Sequence, residues 1–149
     1  MRFLNFDLDF DLGSPISTIS LVALGLHWDL HNWPDFAGLQ LTPDGSAVLT
    51  WIAPDSHWSD ERNHYRGCEL RFRGVRSLEI TGPDPEMPAS EHRTLWEISK
   101  LTPEHPEYGQ ATKSGGTSFK LGISFNGGLS IKVDAEEADL RPLEHLASP

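Results

Sequence analysis

Apolar and polar residues alternate with a period of two along much of this chain, most sharply near its start. From Leu4 to Leu12 every even position is large and apolar, and the odd positions are Asn5, Asp7, Asp9 and Asp11. Successive side chains of a β-strand point to opposite faces. The run therefore predicts one strand that buries Leu4, Phe6, Leu8, Phe10 and Leu12. Its other face would be an acidic stripe. Asp is a poor strand former, so the stripe needs a reason: a solvated sheet face, a guard against edge-to-edge aggregation, or a basic partner.

Period two recurs downstream. Phe119, Leu121, Ile123 and Phe125 alternate before Asn126-Gly127-Gly128, and Leu129, Ile131 and Val133 alternate after it. Matching apolar to apolar pairs Phe125 with Leu129, Ile123 with Ile131 and Leu121 with Val133. That register predicts a hairpin with a three-residue loop, closed by Gly128 in the left-handed conformation. Pro43-Asp44-Gly45 predicts a second hairpin, pairing Leu41 with Ala47, Leu39 with Leu49 and Ala37 with Trp51. Cys68, Leu70 and Phe72 face inward in a further strand. Gly74 then breaks the phase, as a bulge does, before Val75, Leu78 and Ile80 resume. Leu95–Leu101 reads as another strand, with Trp96 expected in the core beside Trp51; Trp28, Trp33 and Trp58 are freer.

Two segments read less simply. Residues 16–26 fit helix and strand equally. Ser14-Pro15 suits a helix start and Gly25 a stop, yet Ile, Thr, Ser and Val are mediocre helix formers. Ala135–Leu146 is expected to hold a short helix interrupted by Pro142. Residues 54–67, 82–93 and 102–117 are long polar connections, a length often associated with function.

Together these elements predict a mainly β fold: an antiparallel sheet or β-sandwich with one or two short helices. The 149 residues suit a single domain spanning 1–149, large enough to bury about 68–70% of its unfolded surface. Cys68 is the only cysteine, so an intramolecular disulfide is impossible, which fits a reducing compartment. No run approaches the roughly 20 apolar residues of a membrane helix, and the N-terminus lacks the apolar core of a signal peptide. A cytoplasmic protein is expected. The net charge of -10 repels phosphates and anionic lipids. Nucleic acid and membranes are therefore not expected partners, whereas a basic protein is.

Candidate chemistry is sparse. Asp7, Asp9 and Asp11 have the spacing that opens a calcium loop, but Leu12 and Thr18 occupy its glycine and glutamate positions. His27, Asp29 and His31 would share a strand face and are weak metal candidates, since ligands roughly 6–7 Å apart along a line converge poorly. The densest loop runs from Asp55 to Arg66, with His57, Trp58, Asp60, Glu61, Arg62, His64 and Tyr65. His57 and His64 could act as acid or base, yet no nucleophile motif accompanies them. Trp, Tyr and Arg are the residues that dominate protein interfaces. The expected binding surface is therefore this loop together with Asp7, Asp9 and Asp11. Lys113-Ser114 lacks the preceding glycine of a phosphate loop. No catalytic residue and no cofactor is implied.

Trp33-Pro34-Asp35-Phe36, Leu70-x-Phe72-x-Gly74-Val75-x-x-Leu78, Leu95-x-Glu97-Ile98 and the Phe119–Val133 hairpin with the acidic Ala135-Glu136-Glu137 form a recurring order of short strand patterns. Over residues 33–137 the chain resembles bacterial immunity proteins of polymorphic toxin systems, most of all the Immunity protein 50 family. Residues 1–12 and the 55–66 loop lie outside the resemblance. It implies a small, mainly β protein that neutralises a toxin by binding it, with no catalytic residues to carry over. The expected function is thus non-enzymatic binding of a basic toxin. The alternatives are a metal-dependent enzyme or small-ligand binder using the His/Asp clusters, and a structural subunit that forms homo-oligomers through a sheet edge.

Overall fold

In chain order the strands are β1 (Arg2–Phe3), β2 (Phe6–Leu8), β3 (Ser17–Thr18), β4 (Ser20–Ala23), β5 (Leu26–Asp29), β6 (Asp35–Leu41), β7 (Ala47–Ile52), β8 (Tyr65–Thr81), β9 (Leu95–Lys100), β10 (Leu121–Phe125) and β11 (Ser130–Glu144). One four-residue helix, α1 (Ala89–His92), precedes β9. The computed structural model describes residues 1–9, 17–54, 65–101 and 120–144. The mainly β expectation holds. Eight strands form one sheet in the order β3-β9-β10-β11-β8-β7-β6, with β1 added to β11, and β2-β4-β5 form a second, three-stranded sheet. Pairing is antiparallel throughout except between β1 and β11. Among the described residues no helix is long and apolar enough to cross a membrane.

β8 and β11 form the spine. They pair from Thr81–Ser130 at one end to Tyr65–Glu144 at the other. The register slips where Ser77 opposes Asp134 but Val75 opposes Ala135, the bulge expected after Gly74. Ala135–Glu144 is therefore strand and not the expected short helix. Ala135, Ala138 and Leu140 are buried while the acids between them face outward. Pro142 opposes Cys68 of β8, and among the described residues β11 has a strand on only one side there, where proline is tolerated.

The first alternating run is two strands in two sheets. β1 pairs with β11 at Glu137 and Ala138. Asn5 then ends that pairing. Its side-chain Nδ2 donates to the Leu140 carbonyl at 2.6 Å, and its Oδ1 accepts from the Leu140 N–H at 2.8 Å. The amide stands in for the next peptide group, and the chain turns away into β2. Leu4, at the bend, is 49% exposed and not buried as expected. Phe6 and Leu8 are buried as expected; Phe10, Asp11 and Leu12 lie outside the described residues. Periodicity cannot distinguish one strand from two that share a phase.

Residues 17–29 resolve as strand. Leu24 and Gly25 both take positive φ (55° and 72°), the two-residue turn whose twist matches a hairpin, so Gly25 closes a hairpin rather than stopping a helix. The β10–β11 hairpin has the expected register, Leu121–Val133 and Ile123–Ile131. The Phe125 N–H donates to Leu129 O at 2.8 Å, and Gly128 sits at φ +88°. In the β6–β7 hairpin Leu41–Ala47 and Leu39–Leu49 also pair as expected. There a bulge between Phe36 and Gly38 puts Phe36, not Ala37, opposite Trp51. Ala37 is exposed, and so is Leu41, at 64%.

One apolar cluster joins both sheets. Trp28 of β5 is fully buried, 5.3 Å from the Tyr65 ring of β8 and 5.4 Å from Trp33. Phe36 lies 5.3 Å from Trp51 and 4.5 Å from Phe125. Trp28 and Trp33, expected to be freer, are thus core, and the Trp28 indole N–H is satisfied by Ala23 O at 2.9 Å. Burial pushes the Cys68 thiol far above its ordinary range, so it stays protonated and inert.

Leu70 is fully buried on the spine. Leu70→Ala is expected to cost about 2–5 kcal/mol, whereas Leu41→Ala should stay within about 0.5 kcal/mol; urea unfolding midpoints of the two variants check this. Asp44 accepts from the Thr42 hydroxyl and, at 3.1 Å, from the Ser46 N–H. The Thr42 and Ser46 hydrogen bonds hold its carboxyl below the ordinary 3.8. A carboxyl depressed in the folded state stabilises above its unfolded value and loses that contribution as pH falls through its folded value. Asp44→Ala should therefore lower the melting temperature at pH 7, and the gap from wild type should close in acid, as a melting series down to pH 2 would record.

Candidate functional site

Of the predicted acidic stripe the structure describes Asp7 and Asp9. Asp7 is exposed on β2. The Asp9 side chain is only 10% exposed, and its Oδ2 lies 2.7 Å from Nδ1 of His27. Asp11 lies outside the described residues, as do His57, Trp58, Asp60, Glu61, Arg62 and His64. Tyr65, the last residue of that predicted surface, is half-buried at the start of β8 against Trp28.

His27, Asp29 and His31 do not converge on one point. His27 turns to Asp9. Asp29 organises the turn after β5: its Oδ1 accepts from the backbone N–H groups of His31 and Asn32 at 3.1 and 2.9 Å, and its Oδ2 from Asn32 Nδ2 at 2.9 Å. The ring Nδ1–H of His31 donates to the Leu95 carbonyl, which fixes its tautomer. Among the described residues no group of three His, Cys, Asp or Glu side chains could hold a metal ion.

The acids of β11 are largely answered by arginines. Arg73 lies 2.7 Å from Asp139 and 4.0 Å from Glu137, Arg2 lies 2.9 Å from Glu137, and Arg76 lies 3.3 Å from Asp134. Such exposed pairs are each worth about 0–1 kcal/mol. Their importance here is to neutralise the outer face of the spine, which leaves acidic character to be sought elsewhere.

The 82–94 connection, which carries Asp84, Glu86 and Glu91 with Arg93, crosses the tip of the β10–β11 hairpin. Asp84 N–H donates to Gly127 O at 2.9 Å, Gly127 N–H to Glu91 O at 3.0 Å and Asn126 N–H to Thr94 O at 2.9 Å. His92 packs so closely that a Cβ on Gly127 would lie 2.2 Å from its ring and 2.9 Å from its backbone nitrogen. The tip is thereby clamped.

No family model, curated protein or solved structure matches this chain.

Beside the clamp lies an open cleft of about 380 Å³, lined by Trp96, Phe125, Asn126 and Gly128. Trp96 was expected in the core; it is 61% exposed. The cause is a bulge in β9. Ser124 opposes Glu97 and Phe125 opposes Leu95, so Trp96 is the extra residue. Leu95 and Ile98, three apart, are both fully buried, which leaves Trp96 and Glu97 together on the outer side. Two apolar residues three apart inside a strand were the sequence signal for this. Phe125, 3% exposed and packed on Phe36, forms a rigid wall. Asn126 Oδ1 is buried and accepts no hydrogen bond from the described residues.

The turn role of Asp29 separates it from metal chemistry. Asp29→Ala is expected to lower stability by about 1 kcal/mol, as lost caps do, and by the same amount with and without a chelator. Denaturation in EDTA and in zinc-supplemented buffer measures both.

Proposed function

We propose that this chain is a non-enzymatic binding protein that captures a basic protein partner, in the manner of the bacterial immunity proteins it resembles. One observation carries the proposal: a tryptophan presented 61% exposed on a bulge, beside a hairpin tip held by three backbone hydrogen bonds. Tryptophan is among the residues most enriched in binding hot spots. A side chain fixed by its scaffold before binding loses little further freedom on association, so more of its contact energy appears as affinity. The net charge of -10 sets the sign of the partner, because complementary charge speeds encounter and penalises wrong partners. The resemblance over residues 33–137 supports the same role, with a basic toxin domain as the partner.

The test is affinity capture from the native host with wild-type chain and Trp96→Ala, at low and high salt. A basic protein should be retained at low salt and released at high salt. Its capture by Trp96→Ala should fall about 30-fold, the effect of losing roughly 2 kcal/mol, with the melting temperature unchanged. Expression of the captured protein alone should be toxic, and co-expression of this chain should relieve it. Equal capture by Trp96→Ala, or no basic partner at low salt, would reject the proposal.

A further inference from the structure

We infer that the Trp96 cleft receives an arginine side chain of that partner, its guanidinium stacked on the indole and its edge turned to Glu97. The inference rests on the binding role proposed above and deepens it by naming the chemistry the site accepts.

Two features select a donor-rich cation. First, the β9 bulge places Trp96 and Glu97 on the same side of the sheet, since Leu95 and Ile98 are both buried. An aromatic face with an adjacent carboxylate suits a guanidinium, which stacks on one and pairs with the other. Second, the segment from Asp84 to Glu97 carries Asp84, Glu86, Glu91 and Glu97 against the single cation Arg93. The clamp holds this segment around the cleft: Asp84 lies beside Gly128 in its wall, and Glu91 anchors Gly127. The spine, by contrast, meets its acids with arginines. A phosphate or carboxylate ligand would bring more acceptors and like charge. A guanidinium brings five N–H donors and no acceptor. Lysine shares the charge, but its compact, strongly hydrated ammonium stacks less well.

The probe is a hexa-arginine peptide, with hexa-lysine and hexa-citrulline as controls, titrated into the ¹⁵N-labelled full chain. Citrulline keeps the shape and loses the charge. The five tryptophans give five indole N–H signals, and loss of one in Trp96→Phe assigns Trp96. The Trp96 signal should shift saturably with hexa-arginine, at least fivefold more weakly with hexa-lysine, and not with hexa-citrulline. Glu97→Gln should weaken the arginine response at least threefold. An unmoved Trp96 signal, an equal shift with citrulline, or an undiminished response in Glu97→Gln would overturn the inference. The two proposals fail separately. Trp96-dependent capture of a partner alongside an indole that ignores hexa-arginine overturns the arginine assignment and leaves the binding role standing. A saturable arginine response with no captured partner upholds the cleft chemistry and removes the role.

Discussion

The β8–β11 ladder is the constraint on which the rest of this structure depends. It runs from Thr81–Ser130 to Tyr65–Glu144, and each neighbouring strand of the large sheet is placed by one of its two edges. β7 adds to the free side of β8, and β6 follows it. β10 and then β1 share the free side of β11 at successive positions along its length. The bulge after Gly74 is what lets so long a ribbon twist without losing its inward phase: Leu70, Phe72 and Ala138 on one side of it and Ile131 and Val133 on the other remain buried.

The small sheet is tied to this frame by aromatic contact rather than by backbone pairing. Trp28 fills the space between β5 and the start of β8, and Phe3 of β1 stacks on Phe6 of β2 at 4.7 Å. Asn5 lies between those two rings in the sequence and completes the edge of β11 with its own amide. One segment of eight residues thus serves two sheets.

Much of this was legible from residue order, for identifiable reasons. The β10–β11 register followed from matching apolar residues across a glycine-bearing loop, because a two-residue Asn-Gly loop would bring Ser124 opposite Leu129 and misface one strand. Cys68, Leu70 and Phe72 announced their burial by simple alternation. Failures arose where alternation is degenerate or interrupted. Leu4–Leu12 looked continuous because the two strands share a phase. Ala135–Leu146 looked helical because Glu136-Glu137 and Pro142 mask a strand whose inward residues are small alanines. Trp96 was misplaced because strand patterns assign large apolar residues to the interior, and one extra residue reverses that. Of the predicted binding residues, Asp7 is exposed, Asp9 is paired with His27 and Tyr65 packs on Trp28, while the cleft arises from residues distant in sequence, Trp96 and the 125–128 turn. Only the Leu95–Ile98 spacing hinted at it.

The order of strands in the large sheet also governs when the protein can form as it emerges from the ribosome. β9 and β8 are joined by the 82–94 crossover, yet β10 and β11 lie between them in space. β9 therefore has no large-sheet place to occupy until the later hairpin is synthesised and wedges in. β1 waits for Glu137 and Ala138, more than 130 residues downstream in the same chain. Contacts so distant in sequence close slowly. From the completion of β8 at Thr81 until β11 begins at Ser130, the open edge of β8 stays uncovered, the condition under which nascent chains aggregate or recruit chaperones.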